Sequence, residues 1–497
     1  MLFRSASEMA NTLTNSLAGI ATPMNISLVS GTSNLSASIT GNTMVINSLT
    51  LGNSGGGVSL QSSQVLVLDS GGLLALSGNG GISGGRLSTS SNREMIIHSV
   101  GNLTLNSSLA SFTNGLTTAG AGVLALGRQN FFTGATRVNE GTLKLAGGSN
   151  TLFYTTELFL QGGVIDLNGT VQSLQRISTQ TNGAQGANLI PGAGGNVINS
   201  SGAQATLGLV NGGVSFSGSI QGNIALARTT TAGSFSDWNL YGPQTYTGPT
   251  LFNGGRVQLL GRASLAATSS IELNQSTLLI TNNNGTSALD VNLNDRINDA
   301  APILMRGAMF QYRARFGEEG FENIGAVTLS NGNSFFDVAE PGTGVNSSVL
   351  TMASLGREAG SRATVRFMNV DGTLGNTARI MVASAPTLAN DLIGGWAVVE
   401  RDFASYTPGT GIGALNATGY AGYSPNDINT GGMTDNIRFV TPTVASLGVN
   451  GTNVLTVPST VGLEVGDPVC HTHDESLDKH LTCVASTLNH TLVGTAS

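Results

Sequence analysis

Residues 124–147 read LALGRQNFFTGATRVNEGTLKLAG, and residues 238–261 read WNLYGPQTYTGPTLFNGGRVQLLG. At a constant offset of 114 the pairs Leu126/Leu240, Thr133/Thr247, Gly134/Gly248, Thr136/Thr250, Asn139/Asn253, Gly141/Gly255, Leu145/Leu259 and Gly147/Gly261 are identical. Phe132/Tyr246, Val138/Phe252 and Leu143/Val257 keep an apolar residue at the same phase. The echo continues, shifted by one residue, in Leu158-Phe-Leu160 against Ile271-Glu-Leu273. Self-similarity of this kind marks a repeat architecture. Each copy holds three or four short strands that cannot close their apolar faces alone, so the unit must stack on neighbours.

The same texture extends outward from the repeats. Met44, Ile46, Leu49 and Leu51 precede a Gly52-Asn-Ser-Gly-Gly-Gly57 turn, and Val65-Leu-Val-Leu68 is broken by Asp69-Ser-Gly-Gly72. Leu103/Leu105, Leu124/Leu126, Leu143/Leu145 and Leu158/Leu160 repeat the period of two that marks a strand with one buried face. Each stop is a Gly or Asn able to take a positive φ. One helical window stands out, residues 2–20, where Met9, Leu13 and Leu17 recur at i+4; it would cap a stack or form an unordered terminus. The expected fold class is all-β: a right-handed parallel β-helix with Gly/Asn-rich turns, with β-sandwich-like elements allowed for in the C-terminal third. Coils of roughly 20 to 30 residues spaced about 4.8 Å apart would give a rod on the order of 100 Å. An array of immunoglobulin-like sandwiches is the rival. It is disfavoured because neither a Cys–Trp–Cys spacing nor a period of seven alternating strands is present.

Composition excludes several classes. The chain has 497 residues, of which 10% are charged, 5% aromatic, 69 Gly and 12 Pro. Low charge and a mean hydropathy of +0.13 argue against charge-driven disorder. No Gly-X-Y period supports collagen. The 21 Lys and Arg residues are unclustered, so no electrostatic footprint for nucleic acid exists. No apolar stretch approaches the roughly 18 residues needed to span a bilayer. The segment Met1-Leu-Phe-Arg-Ser-Ala-Ser-Glu-Met9 does not read as the apolar core of a secretion signal. The two cysteines, thirteen residues apart, make no disulfide framework and leave the compartment undecided.

Ala119-Gly-Ala-Gly-Val-Leu-Ala-Leu126, followed by Phe131-Phe-Thr-Gly-Ala-Thr136 and Asn139-Glu-Gly-Thr-Leu-Lys-Leu145, resembles the autotransporter-associated β-strand repeat, the passenger-associated transport repeat. The second copy keeps Tyr246-Thr-Gly-Pro-Thr250 but has Arg256 where the family usually has Thr. It shows Ser234-Phe-Ser-Asp-Trp238 in place of the Gly-rich entry. Residues 45–88, and the blocks Leu355-Gly-Arg-Glu-Ala-Gly360, Ala385-Pro-Thr-Leu388 and Ile393-Gly-Gly-Trp-Ala-Val-Val399, resemble segments flanking the repeat in long surface proteins of planctomycete and verrucomicrobial bacteria. The resemblance spans roughly residues 41–430 and implies an exported bacterial passenger segment, secreted or associated with the outer membrane. No barrel-like end or secretion signal is recognised, so the chain reads as a fragment of a longer gene product.

Enzymatic β-helices need carboxylates that converge on one face. Residues 1–290 hold nine acids, Glu8, Asp69, Glu94, Glu140, Glu157, Asp166, Asp237, Glu272 and Asp290, with no D-D or D-x-D spacing. Asp166 in Val-Ile-Asp-Leu-Asn-Gly reads as structural, and His98 as a surface or packed strand residue. The denser charges between Asp295 and Glu322, including Arg296, Arg313, Arg315, Glu318 and Glu319, read as a solvated face with local ion pairs, with an acidic or sugar partner as the sharper alternative. No G-x-S-x-G elbow occurs, and the Gly-rich stretch 53–57 lacks the helix and Lys-Ser/Thr of a phosphate loop.

Cys470, His471, His473, His480, Cys483 and His490 concentrate in the tail. An out-of-frame or truncated gene end explains them first, a disordered tail second and a zinc site third. The expected organisation is a segment 1–40; a β-helix over 41–290 with repeats at 119–150 and 234–268; a β-rich passenger segment over 291–440; strands over 441–469; and an atypical tail over 470–497. The expected function is a non-enzymatic surface rod for adhesion or envelope display, with no catalytic residue, cofactor or metal. Its expected partners are surface glycans, matrix, or host or other cell surfaces, with end-to-end self-association through open coil edges. A polysaccharide-acting enzyme and a fibre or sheath subunit are the alternatives.

Overall fold

The computed structural model describes residues 25–34, 42–76, 80–90, 93–179, 194–211, 213–230, 237–282, 292–339, 347–370, 372–423, 431–438, 469–472 and 481–484. The helical window over 2–20 and the strand-like stretch 450–468 lie outside them. The described residues contain strands and no α-helix.

Alternation of apolar and small polar residues makes each strand two-faced, and parallel stacking buries one face against the coil interior. Strand Leu103–Leu109 shows the rule, with Leu103, Leu105 and Leu109 buried between outward polar residues. The ladder is parallel at every step from Asn25–Asn34 to Ala397–Val399. Register aligns like with like. Ile82 pairs with Leu105, Leu105 with Leu126 and Leu126 with Leu145, a column at most 1% exposed. Burial of each such side chain contributes about 1.5–3 kcal/mol against the entropy of ordering it. In the ten-stranded sheet a separate column is aromatic: Phe310, Phe336 and Phe367 pair in register, with ring centroids 5.9 and 5.8 Å apart.

One coil runs from 19 residues, where Leu143 pairs with Leu124, to 35, where Val171 pairs with Thr206. The expectation of a stacked parallel β-helix is met. Left-handed residues do occupy turns, as where Asn168 has φ 51° and Gly169 φ 72° after strand Val164–Asp166, but the stops read at 52–57 and 69–72 fall inside the strands Thr43–Ser59 and Val65–Ala75. In the C-terminal third, where sandwich-like elements were allowed for, the parallel ladder continues through Thr364–Met368 to Ala397–Val399. It then ends on antiparallel strands, with Val398 opposite Phe403 and Ser405 opposite Gly413.

The 114-residue offset is not a whole number of turns. Strands Val123–Leu126 and Thr142–Leu145 lie on one arm of the 16-stranded sheet. In the second copy that arm carries Thr245–Tyr246, the counterpart of residues 131–132. The counterparts of the first two strands, Asp237–Leu240 and Arg256–Leu259, stand instead in the ten-stranded sheet. The second copy is therefore turned by one side of the coil relative to the first.

Candidate functional site

The repeat coils are the most structured feature shared by sequence and fold. In the second copy Tyr246 is fully buried, and its hydroxyl lies 2.5 Å from Thr250 Oγ1, which lies 2.8 Å from Thr268 Oγ1. Thr268 then donates to the Gly248 carbonyl at 2.9 Å. Desolvation raises the Tyr246 phenol above its ordinary range, so it stays protonated. This chain gives the Tyr-Thr-Gly-x-Thr word a physical meaning: the tyrosine hydroxyl satisfies a buried threonine. In the first copy Phe132 takes the tyrosine position and stacks on Phe112 at 5.0 Å. The matching Thr136 Oγ1 is buried and has no hydrogen-bond partner among the described residues.

Between Tyr/Phe and Thr sits the invariant glycine of the two copies. A Cβ on Gly134 (φ 94°) would lie 2.3 Å from the Thr113 carbonyl, and one on Gly248 would lie 2.3 Å from the Ile224 carbonyl. Both contacts are with the backbone of the preceding coil, which leaves no room to yield.

A third shared element was not visible as an identity. Asn130 and Gln244 stand at the 114-residue offset, and both are buried amides. Asn130 Oδ1 accepts from Leu109 N at 2.9 Å, while its Nδ2 donates to the carbonyls of Arg128 and Thr151 at 2.8 and 2.9 Å. Gln244 Oε1 accepts from Ile220 N at 2.9 Å, and its Nε2 donates to the carbonyls of Gly242 and Gly218 at 2.6 and 3.1 Å. Each amide pegs a turn to the coil before it, and Asn130 also reaches the coil after it through Thr151, so both hydrogen-bond backbone groups at the bend.

The acids of residues 1–290 are spent on neighbouring rungs. Glu8 and Asp290 lie outside the described residues. Glu157 pairs with Arg176 at 2.6 Å and Asp237 with Arg256 at 2.5 Å, both in register on adjacent strands. Glu272 pairs with Arg306 at 3.0 Å. Asp69 accepts from Ser90, Glu94 from Thr117, and Glu140 from Gly120 N at 3.2 Å. Asp166 is buried as a turn anchor. It accepts from Asn168 N at 2.9 Å, Ser200 N at 3.0 Å and Ser200 Oγ at 2.6 Å, with Lys144 3.6 Å away. His98 is exposed on strand Met95–Ser99. Among the described residues no group of three or more His, Cys, Asp or Glu side chains is placed to hold a metal.

The segment 295–322 corrects the expectation of a solvated face. Arg315 and Glu318 do form a partly exposed ion pair, and Arg313 reaches Asp337 at 3.3 Å. Arg296 and Glu322, however, are both fully buried. The Arg296 guanidinium donates to the carbonyls of Leu259 at 2.8 Å, Thr281 at 3.0 Å and Gly261. Glu322 accepts from the backbone N–H groups of Arg296 and Ile297 at 3.0 and 2.7 Å. Desolvation lowers Arg296 to about 10 and, outweighing those N–H bonds and the nearby guanidinium, pushes Glu322 up to about 8. Together they tie the irregular stretch around 296 to the coils on either side. Arg228 is also fully buried; desolvation lowers it to about 10 despite the opposing field of Asp237. These buried charges were missed because a charged residue in a strand normally faces water. The tail histidines His473, His480 and His490 lie outside the described residues.

An all-β parallel solenoid, with its titratable groups used between rungs, defines the class of protein. Two of its stretches, residues 116–145 and 237–259, match the passenger-associated-transport-repeat family, so the chain carries two copies of that repeat. No curated protein and no solved structure matches the chain. Among the described residues no helix is long and apolar enough to cross a membrane.

Proposed function

We propose that the chain is a non-enzymatic passenger segment of an autotransporter-like surface protein, a stacked scaffold that holds loops outside the cell for adhesion or envelope display. The family of its two repeats points to a surface or extracellular role. The observation that carries the non-enzymatic part is the use of charge. Seven acids of residues 1–290 are described, and each is engaged by its own rung or turn partner. General acid–base chemistry needs a carboxylate available to substrate. Partners of this scaffold are surface glycans, matrix, or host or other cell surfaces. The fibre reading requires coil edges open at both ends; among the described residues, antiparallel strands 402–407 and 411–414 follow the parallel rung at 397–399, which favours a single scaffold over end-to-end growth. Purified chain incubated with a panel of bacterial and plant polysaccharides should retain some of them in pull-down and release no new reducing ends. Time-dependent release of reducing ends that tracks chain concentration would establish the enzyme alternative instead.

A further inference from the structure

We propose that Cys470 and Cys483 form an intrachain disulfide that closes the hairpin of the tail. Strands Val469–Thr472 and Leu481–Val484 pair antiparallel in the register Val469 to Val484, Cys470 to Cys483, His471 to Thr482 and Thr472 to Leu481. Directly opposed residues of an antiparallel pair have Cα atoms about 4.5–5.5 Å apart. A disulfide accepts Cα separations of about 4.4–6.8 Å, so the register alone sets the two positions within bridging range without backbone movement. A shift of the register by one residue would put each cysteine opposite a different partner. The only two cysteines of the chain therefore meet at one rung of this ribbon.

A zinc site needs three or four ligands. Among the described residues no group of three or more His, Cys, Asp or Glu is placed to hold a metal.

The chemistry balances through exchange with an external disulfide such as glutathione disulfide. The thiolate of one cysteine attacks it and expels a glutathione thiolate, leaving a mixed disulfide. The second cysteine, as thiolate, then attacks the chain's sulfur and expels the other glutathione. The chain loses two hydrogens and two glutathione thiols form. The inference rests on strand register and stands apart from the proposal of surface export.

The test uses the purified full chain equilibrated in a mixture of reduced and oxidised glutathione, quenched with N-ethylmaleimide and analysed by intact mass and peptide mapping. The expected product is a monomer lighter by two hydrogens, carrying no maleimide, with a linked peptide pair containing Cys470 and Cys483. The ratio of bridged to dithiol chain should fall roughly tenfold or more in denaturant, where the register is lost. C470S should leave Cys483 as a single maleimide- or glutathione-modified thiol. Two maleimides on the native chain, a disulfide-linked dimer, thiols that become reactive only after a chelator is added, or an equal ratio in native and denaturing buffer would each overturn the proposal.

Discussion

Thr136 and Thr250 occupy the same place in two copies of one unit, but Thr250 has the hydroxyls of Tyr246 and Thr268 for partners and Thr136 has neither. Tyr246 supplies a hydroxyl to Thr250, whereas Phe132 leaves Thr136 Oγ1 buried and unpartnered. Leaving a polar atom buried without a partner costs about 1–3 kcal/mol, and restoring a hydrogen bond recovers about 1 kcal/mol. F132Y is therefore expected to raise the denaturation midpoint, and Y246F to lower it by a comparable amount; unchanged midpoints in both would show that the hydroxyl does not govern the word. Glu322 supplies a pH test. Its folded value of about 8 lies above the ordinary 4.5, so the stability it contributes is complete below about 4.5 and is lost as pH rises through about 8. Thermal unfolding of the parent chain should decline between pH 5 and 8.5, and E322Q should remove that part of the slope. Parallel profiles for the two chains would contradict the burial argument. The leucines of the core were legible because a period of two survives in the sequence. Arg296, Arg228 and Glu322 were not, since nothing local distinguishes a charge held by coil carbonyls or amides from one held by water.

The repeat is best understood as an element: three or four short strands, a glycine that must pass under a backbone carbonyl, and an amide peg. G134A and G248A should each destabilise by more than about 1 kcal/mol, because the new methyl meets carbonyl oxygen at 2.3 Å in both copies. G202A, where nothing lies within 4 Å, should be close to neutral. Urea denaturation distinguishes these outcomes, and equal effects at all three sites would remove the steric explanation. Q244A should cost about 1–3 kcal/mol by orphaning Ile220 N–H and two turn carbonyls. By contrast R256A should cost only about 0.2–1 kcal/mol, since the Asp237 pair is partly exposed and screened. The glycines announced themselves as identities at the 114-residue offset. The peg did not, because Asn130 and Gln244 do the same work with side chains of different length. The one-side rotation between copies was equally hidden: an offset in residues carries no angle, and variable loops make the turns unequal.

At the scale of the whole molecule, scarce charge acquires a location. The acids stand beside their partners on adjacent rungs, and the parallel ladder continues across the dense segment 295–322 up to Val399. Stacking of quasi-equivalent sides lets one unit recur in different orientations, which suits a scaffold that displays loops around its circumference. On the proposed function this scaffold works outside the cell. Protease shaving of intact cells that express the native gene tests it most directly, with an antibody against residues 43–399 as the readout. Added protease should remove or trim the chain while a cytoplasmic marker stays intact. Full protection of the chain until the cells are lysed, under protease conditions that digest it after lysis, would contradict it.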